Sequence, residues 1–244
     1  MKETALEQRL ADGLIPLAGR REELKALTSA LCARRSCLIA GHKGIGKTRL
    51  MEEALHAAQP PVVRLQGPMV LHELVVGLAQ QLSCPAGRFG DLRRATSIAL
   101  KPAVQEALRN HPHCIVLDDV ASADSRMYRF LQQLYYIPGV CLIVTAKSRD
   151  STGHLRKLLW DPREEISLRP LSRTDASAVF ESASRAFRLD ALDVEEFRSK
   201  VLSAARGNPG QIVTMCEMAS RPQYQAGRHI LFLPLRIDSL AAFV

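Results

Sequence analysis

This sequence predicts an α/β fold, three layers built on a mostly parallel sheet, followed by a small all-helical lid domain. Three observations carry the prediction. Short apolar runs alternate with stretches of helical periodicity as far as Leu168. Two of the runs end in groups suited to a phosphate site, Gly41 to Thr48 after the first and Asp118-Asp119 after a later one. From Pro170 onward the texture is helical only, which separates a second region from the first.

The elements follow in order. Residues 1–14 read as a polar N-terminal arm, and Pro16 and Gly19 punctuate the chain before a helix over 22–33 with Leu24, Leu27 and Leu31 on one face. Cys37 to Ala40 is a buried strand. The helix after it carries Leu50, Met51, Ala54 and Leu55 and stops at Pro60-Pro61. A second strand spans 62–65, an apolar helix 71–82, and a helix 97–110 leads into the strand 114–119. Between those two helices Arg88, Arg93 and Arg94 make a local basic excess. A helix over 125–136, a strand over 140–145, a short amphipathic piece over 155–159 and a last strand over 165–168 complete the first domain. Helices then follow over 173–187, with Ser172 as N-cap, 193–206 and 211–220. The expected organisation is an arm (1–14), an α/β domain (15–168), a lid (169–225) and a tail (226–244) that ends apolar.

A chain of 244 residues with 47% hydrophobic content can bury a full core. Its formal charge of +8 has two readings, a polyanionic partner such as duplex DNA or ordinary solubility. The six cysteines are scattered with no C-x-x-C, and read as small buried hydrophobes in a reducing compartment, hence a cytoplasmic location. The first twenty residues lack the apolar stretch of a signal peptide, and no run approaches the ~20 apolar residues of a membrane span.

Gly41-His42-Lys43-Gly44-Ile45-Gly46-Lys47-Thr48 is G-x-x-x-x-G-K-[ST], a P-loop. Its backbone N–H groups suit the β-phosphate, Lys47 the β/γ oxygens and Thr48 a Mg²⁺ ion, with Arg49 next on the helix whose N-terminus adds a favourable dipole. The pair Asp118-Asp119 at the end of an apolar strand reads either as an acidic helix cap or as a Walker B pair, and the upstream P-loop favours the latter. Asp118 would then hold the metal, and Asp119 would orient or deprotonate the attacking water. Asp119 is one methylene shorter than the usual Glu, so slow hydrolysis is expected. Thr145, Lys147 and Arg149 fall on the same rim, where a polar group senses the γ-phosphate or a turn is simply solvated.

The segments Leu17 to Leu24, Gly41 to Thr48, Ile115 to Asp119, Ile143 to Thr145, Ile166 to Ser172 and Arg206 to Gly210 together resemble the AAA+ and STAND P-loop ATPases. Within them the resemblance is to the origin-recognition-like and transposition-regulator-like branch. It implies that Gly19 and Arg20 lie near the adenine, that Thr145 is near sensor 1, and that Pro209 touches the base or ribose. It also implies an arginine finger at Arg156 or Arg163. The usual sensor-1 Asn is missing, and Arg206 is a candidate for sensor 2.

These readings give an ATP- and Mg²⁺-dependent switch that hydrolyses ATP slowly, forms a homo-oligomer on ATP binding and assembles on a partner, with duplex DNA as the expected one. The alternative is a STAND-type signalling or scaffold core of a longer protein. A small-molecule kinase fits poorly, because no acceptor site can be placed.

Overall fold

The computed structural model describes residues 15–67, 70–85 and 91–241. The expected arm, Arg88 and the last three residues of the tail lie outside them. By packing, the chain divides into two compact units. One comprises 22–42 and 47–168; the other comprises Lys43–Gly46, Arg169 onward and the described residues before Glu22.

The larger unit holds a five-stranded parallel sheet in the order β2-β3-β4-β1-β5. Its strands are β1 (Cys37–Ala40), β2 (Val62–Gln66), β3 (Cys114–Asp118), β4 (Cys141–Ala146) and β5 (Glu165–Ser167). The three inner strands are buried at every position, the continuous apolar pattern of strands covered on both faces. The edge strands β2 and β5 are only partly buried, and their sequences are correspondingly more polar. Register places Ala40 beside Ala146, Leu117 beside Val144 and Gln66 beside Asp118, so the C-terminal ends of β1, β2, β3 and β4 share one rim. That rim is where open parallel sheets present their ligand groups.

The helices of this unit are α1 (Arg21–Cys32), α2 (Lys47–Ala58), α3 (Leu71–Gln81), α4 (Ser97–Asn110) and α5 (Ser125–Tyr135). Each supplies an apolar stripe to the core, for example Leu74, Val75, Leu78 and Ala79 from α3 and Met127, Phe130, Leu131 and Leu134 from α5. The amphipathic piece expected over 155–159 is a 3₁₀ turn, His154–Lys157, with Leu155 buried.

The smaller unit is built on α6 (Arg173–Ala186), α7 (Val194–Ala205), α8 (Pro209–Ala219) and α9 (Phe232–Ala241). Phe180, Phe197, Val201, Ile212, Met215 and Cys216 form its core, with the Phe180 and Phe197 ring centroids 5.9 Å apart. Ser172 caps α6 as expected, its Oγ accepting from the Asp175 N–H at 3.1 Å. Two features lie beyond the helices expected from the sequence. The region is not helical throughout, because Gln225–Ala226 (β6) pairs antiparallel with His229–Ile230 (β7). The apolar tail forms α9, whose Leu235 is fully buried in the helical core and whose Asp238 accepts a 2.7 Å hydrogen bond from the Tyr224 hydroxyl.

Five of the cysteines are buried and Cys32 is exposed; all six are unpaired thiols. No helix among the described residues is long and apolar enough to cross a membrane.

Candidate functional site

The site grows from the end of β1. Gly41 N–H donates to the Ala146 carbonyl at 3.1 Å, which carries the chain off the sheet rim into the loop. Gly44 and Gly46 then adopt φ of +78° and +101°, the left-handed region where a side chain would be strained. At Gly46 the conformation alone demands glycine, since a Cβ there would meet nothing closer than Pro209 Cγ at 3.9 Å. Lys47 opens α2 and folds back so that its Nζ donates to the carbonyls of Gly41 at 2.8 Å and His42 at 3.2 Å. Burial pulls the ammonium below the ordinary lysine value, while Asp119 and Asp118 push it back up.

A second group gathers at the end of β3. Asp118 is only 2% exposed, and its carboxylate is surrounded by donors. Thr145 Oγ1 donates to Oδ1 at 2.6 Å, Arg64 Nη2 donates to Oδ2 at 2.8 Å, and Thr48 Oγ1 stands 3.4 and 3.3 Å from the two oxygens. Thr145 Oγ1 also accepts from the Asp119 N–H at 2.8 Å. Thr145 is wholly buried, its hydroxyl shared between the Asp118 carboxylate and the main chain of Asp119. Asp119 itself is exposed, with φ +58°. Asp and Asn tolerate that left-handed backbone better than Glu does, which gives the short acid at this position a conformational reason.

Sequence reasoning missed Arg64. It lies in the edge strand β2, and its guanidinium bridges Asp118 and Glu52 Oε1, the latter at 3.2 Å. The available signal was a lone arginine inside an otherwise apolar strand. Its replacement leaves a buried carboxylate without its cation, so Arg64→Gln is expected to lower stability by about 1–3 kcal/mol. Urea unfolding without nucleotide or metal should show a lower midpoint at unchanged slope; an unchanged midpoint would show that Asp118 does not need this partner.

Within the smaller unit, the loop tip Lys43–Gly46 is held from outside. Asn208 Nδ2 donates to the Lys43 carbonyl at 2.9 Å, Gly210 N–H to the Gly44 carbonyl at 2.8 Å, and Arg20 Nη2 to the Ile45 carbonyl at 3.4 Å. Arg20 is 5% exposed and also donates to the Arg169 carbonyl. Its guanidinium is therefore engaged with main chain at both contacts. Gly19, at φ +64°, packs so closely on Asp175 that a Cβ would lie 2.6 Å from the carboxyl group. Pro209 is the first residue of α8, two residues before the expected helix start, with Asn208 as its N-cap.

Other expected residues are not drawn into these clusters. Arg156 pairs with Asp150 at 3.5 Å, and Arg163 is 92% exposed beside Asp161 at 3.8 Å. Arg49 runs along α2 to Glu53 at 3.4 Å. Arg149 is not a free solvated turn residue: its guanidinium bonds Glu165 at 2.7 Å and the carbonyls of Trp160 and Asp161. Lys147 is exposed, as are His42 and Lys43. Arg206, at φ +47°, lines a cleft of about 460 Å³ with Arg173, Ser199 and Leu202.

The arrangement offers an anion a lysine and a helix N-terminus, and offers a small hard cation two oxygen-bearing side chains, Thr48 and Asp118. Among the described residues no group of three or more His, Cys, Asp or Glu could hold a metal alone. That donor set fits Mg²⁺, which takes few protein ligands and completes its shell with phosphates and water.

The AAA ATPase domain family matches residues 16–143. Among solved structures, the fold is similar to that of the Walker-type ATPase PABY2304 of Pyrococcus abyssi, at 17% identity and TM-score 0.64 over 93% of this chain and 72% of that one. It is also similar to the ORC1 protein of Aeropyrum pernix, solved in complex with DNA, at 15% identity and TM-score 0.60 over 94% and 68%. A STAND protein of Pyrococcus horikoshii with a tetratricopeptide repeat sensor matches at 18% identity and TM-score 0.54, over 93% of this chain and 33% of that one. No protein with a curated description matches.

Proposed function

Because this chain belongs to the AAA ATPase domain family, we propose that it is an ATP-controlled switch that binds ATP with Mg²⁺, hydrolyses it slowly and assembles on duplex DNA. The observation that carries the reading is the convergence of Lys47, Thr48, Asp118 and Asp119 on one rim, with Thr145 bonded to Asp118 and to the Asp119 backbone. Lys47 supplies charge to the β- and γ-phosphates. Thr48 and Asp118 hold Mg²⁺, which when bound draws charge from the phosphate oxygens. Asp119, exposed and anchored through its own N–H, orients water and takes its proton. A short carboxylate there fits a slow reaction, in which the γ-phosphate state lasts long enough to act as a signal.

DNA as partner is supported by the formal charge of +8 and by the likeness to an ORC1 protein whose structure contains DNA. Arg156 and Arg163, both exposed, are available to a neighbouring subunit. The test is ATP turnover with and without duplex DNA, with particle size and a salt series measured in parallel. We expect slow turnover, an increase in size with ATP, and DNA affinity that falls steeply as salt rises. Absence of DNA binding at low salt with ATP and Mg²⁺ would remove the DNA part. In that case the likeness to the STAND protein favours the second reading, a nucleotide-gated signalling or scaffold core.

A further inference from the structure

The loop that would receive the phosphates is braced on its outer side at consecutive peptide units. The carbonyl oxygens of Lys43, Gly44 and Ile45 are held, in that order, by Asn208 Nδ2, Gly210 N–H and Arg20 Nη2. Each of these carbonyls shares a planar trans peptide unit with the N–H of the next residue, and the two groups of such a unit point in opposite directions. Fixing the carbonyls outward therefore aims the N–H groups of Gly44, Ile45 and Gly46 the other way. Among the described residues none of those N–H groups donates a hydrogen bond. The left-handed Gly44 and Gly46 on either side of Ile45 give the backbone pattern of an anion-binding nest.

We propose that Asn208, Gly210 and Arg20 are positioning residues that preorganise this nest, so that the Gly207-Asn208-Pro209-Gly210 turn controls affinity for the diphosphate of the nucleotide. The inference rests on the nucleotide-binding reading above and assigns these residues to the phosphates, not to the base.

The local geometry supports a dedicated brace. The Asn208 side chain is fixed at both ends, its Nδ2 on Lys43 and its Oδ1 accepting from the Gln211 N–H at 3.2 Å, so the amide has one orientation. Gly210 sits so close to the loop that a Cβ would lie 2.7 Å from the Gly44 Cα and carbonyl oxygen; here space, not φ, requires glycine. The turn before it is locked in turn, with Leu171 N–H donating to the Gly207 carbonyl at 2.8 Å and Gly207 at φ +78°. Arg20 is buried, so its guanidinium is held where it can reach the Ile45 carbonyl.

Asn208→Ser separates the two functions of the side chain, because serine retains the helix cap but has no amide to reach Lys43. Affinities for Mg-ADP and for inorganic pyrophosphate with Mg²⁺ should be measured by calorimetry on the full chain, beside thermal midpoints. Loss of one such hydrogen bond is expected to weaken both ligands by the same factor, about five-fold, with the thermal midpoint near that of the unmodified protein. Gly210→Ala, which drives a methyl into the Gly44 backbone, should weaken both ligands equally and more strongly. If Asn208→Ser weakens ADP and leaves pyrophosphate unchanged, Asn208 acts through the nucleoside and the proposal is overturned; unchanged affinity for both overturns it as well. If the unmodified protein binds neither ligand, the nucleotide-binding reading itself fails, an outcome distinct from the other two.

Discussion

Lys47→Ala is expected to lower affinity for ADP and ATP by at least a hundredfold. The side chain is held by the carbonyls of Gly41 and His42 at the entrance to the loop, with its charge already poised at the helix N-terminus. In the proposed nucleotide complex it would exchange those neutral carbonyls for phosphate oxygens, and a charge-assisted hydrogen bond contributes about 1.5–3 kcal/mol. Loss of two such bonds amounts to about 3–6 kcal/mol, and every 1.4 kcal/mol is a factor of about ten. The fold should survive, because Lys47 is only half-buried and the two carbonyls it leaves lie beside an exposed stretch of loop. Calorimetric titration with Mg-ADP and Mg-ATP measures the effect. Near-normal affinity in the variant would mean that the phosphates do not lie at this loop.

Asp119→Asn should leave ATP affinity within a factor of about two and reduce the hydrolysis rate by about 10²–10⁴, the usual contribution of a positioned general base. Asparagine has the shape of aspartate and tolerates the left-handed φ of +58° equally well. The contact from the Asp119 N–H to Thr145 Oγ1 is a main-chain one and persists. The substitution removes the negative charge and with it the capacity to accept a proton, while shape and main-chain contact are kept, so single-turnover hydrolysis and equilibrium binding should diverge. Unchanged turnover would show that Asp119 is not the base, and a parallel loss of binding would place it with the phosphates instead of the water.

Much of this was legible in linear order. The inner strands are continuous apolar runs and need no partner to be recognised, and Cys37–Ala40 and Ser97–Asn110 have the bounds the sequence suggests. The P-loop and the acid pair are contiguous motifs, so their residues were identified directly. Residues whose placement depends on long-range packing were not. Arg64 and Asp118 are distant in sequence and meet because β2 and β3 pair in one register. Arg149 was read as a rim residue, but β5 supplies Glu165 to it, and no local pattern reports that ion pair. The tail looked unexplained because few of its apolar residues enter the helical core: Leu235 is buried and Ile230 and Phe232 pack partly against it, whereas Leu233, Ile237 and Leu240 stay exposed.

The sequence by itself determined that the chain has a parallel α/β domain, a phosphate loop and an acid pair, because periodicity, glycine spacing and a lysine at the end of a loop are local properties of the chain. The tertiary structure decided what those groups are bonded to. Thr145 is buried behind Asp118, Arg64 neutralises that acid, and the Gly207 to Gly210 turn braces the loop from outside. Each of these depends on side chains and carbonyls far apart in sequence meeting at hydrogen-bond distance, and strand order and helix packing set those meetings.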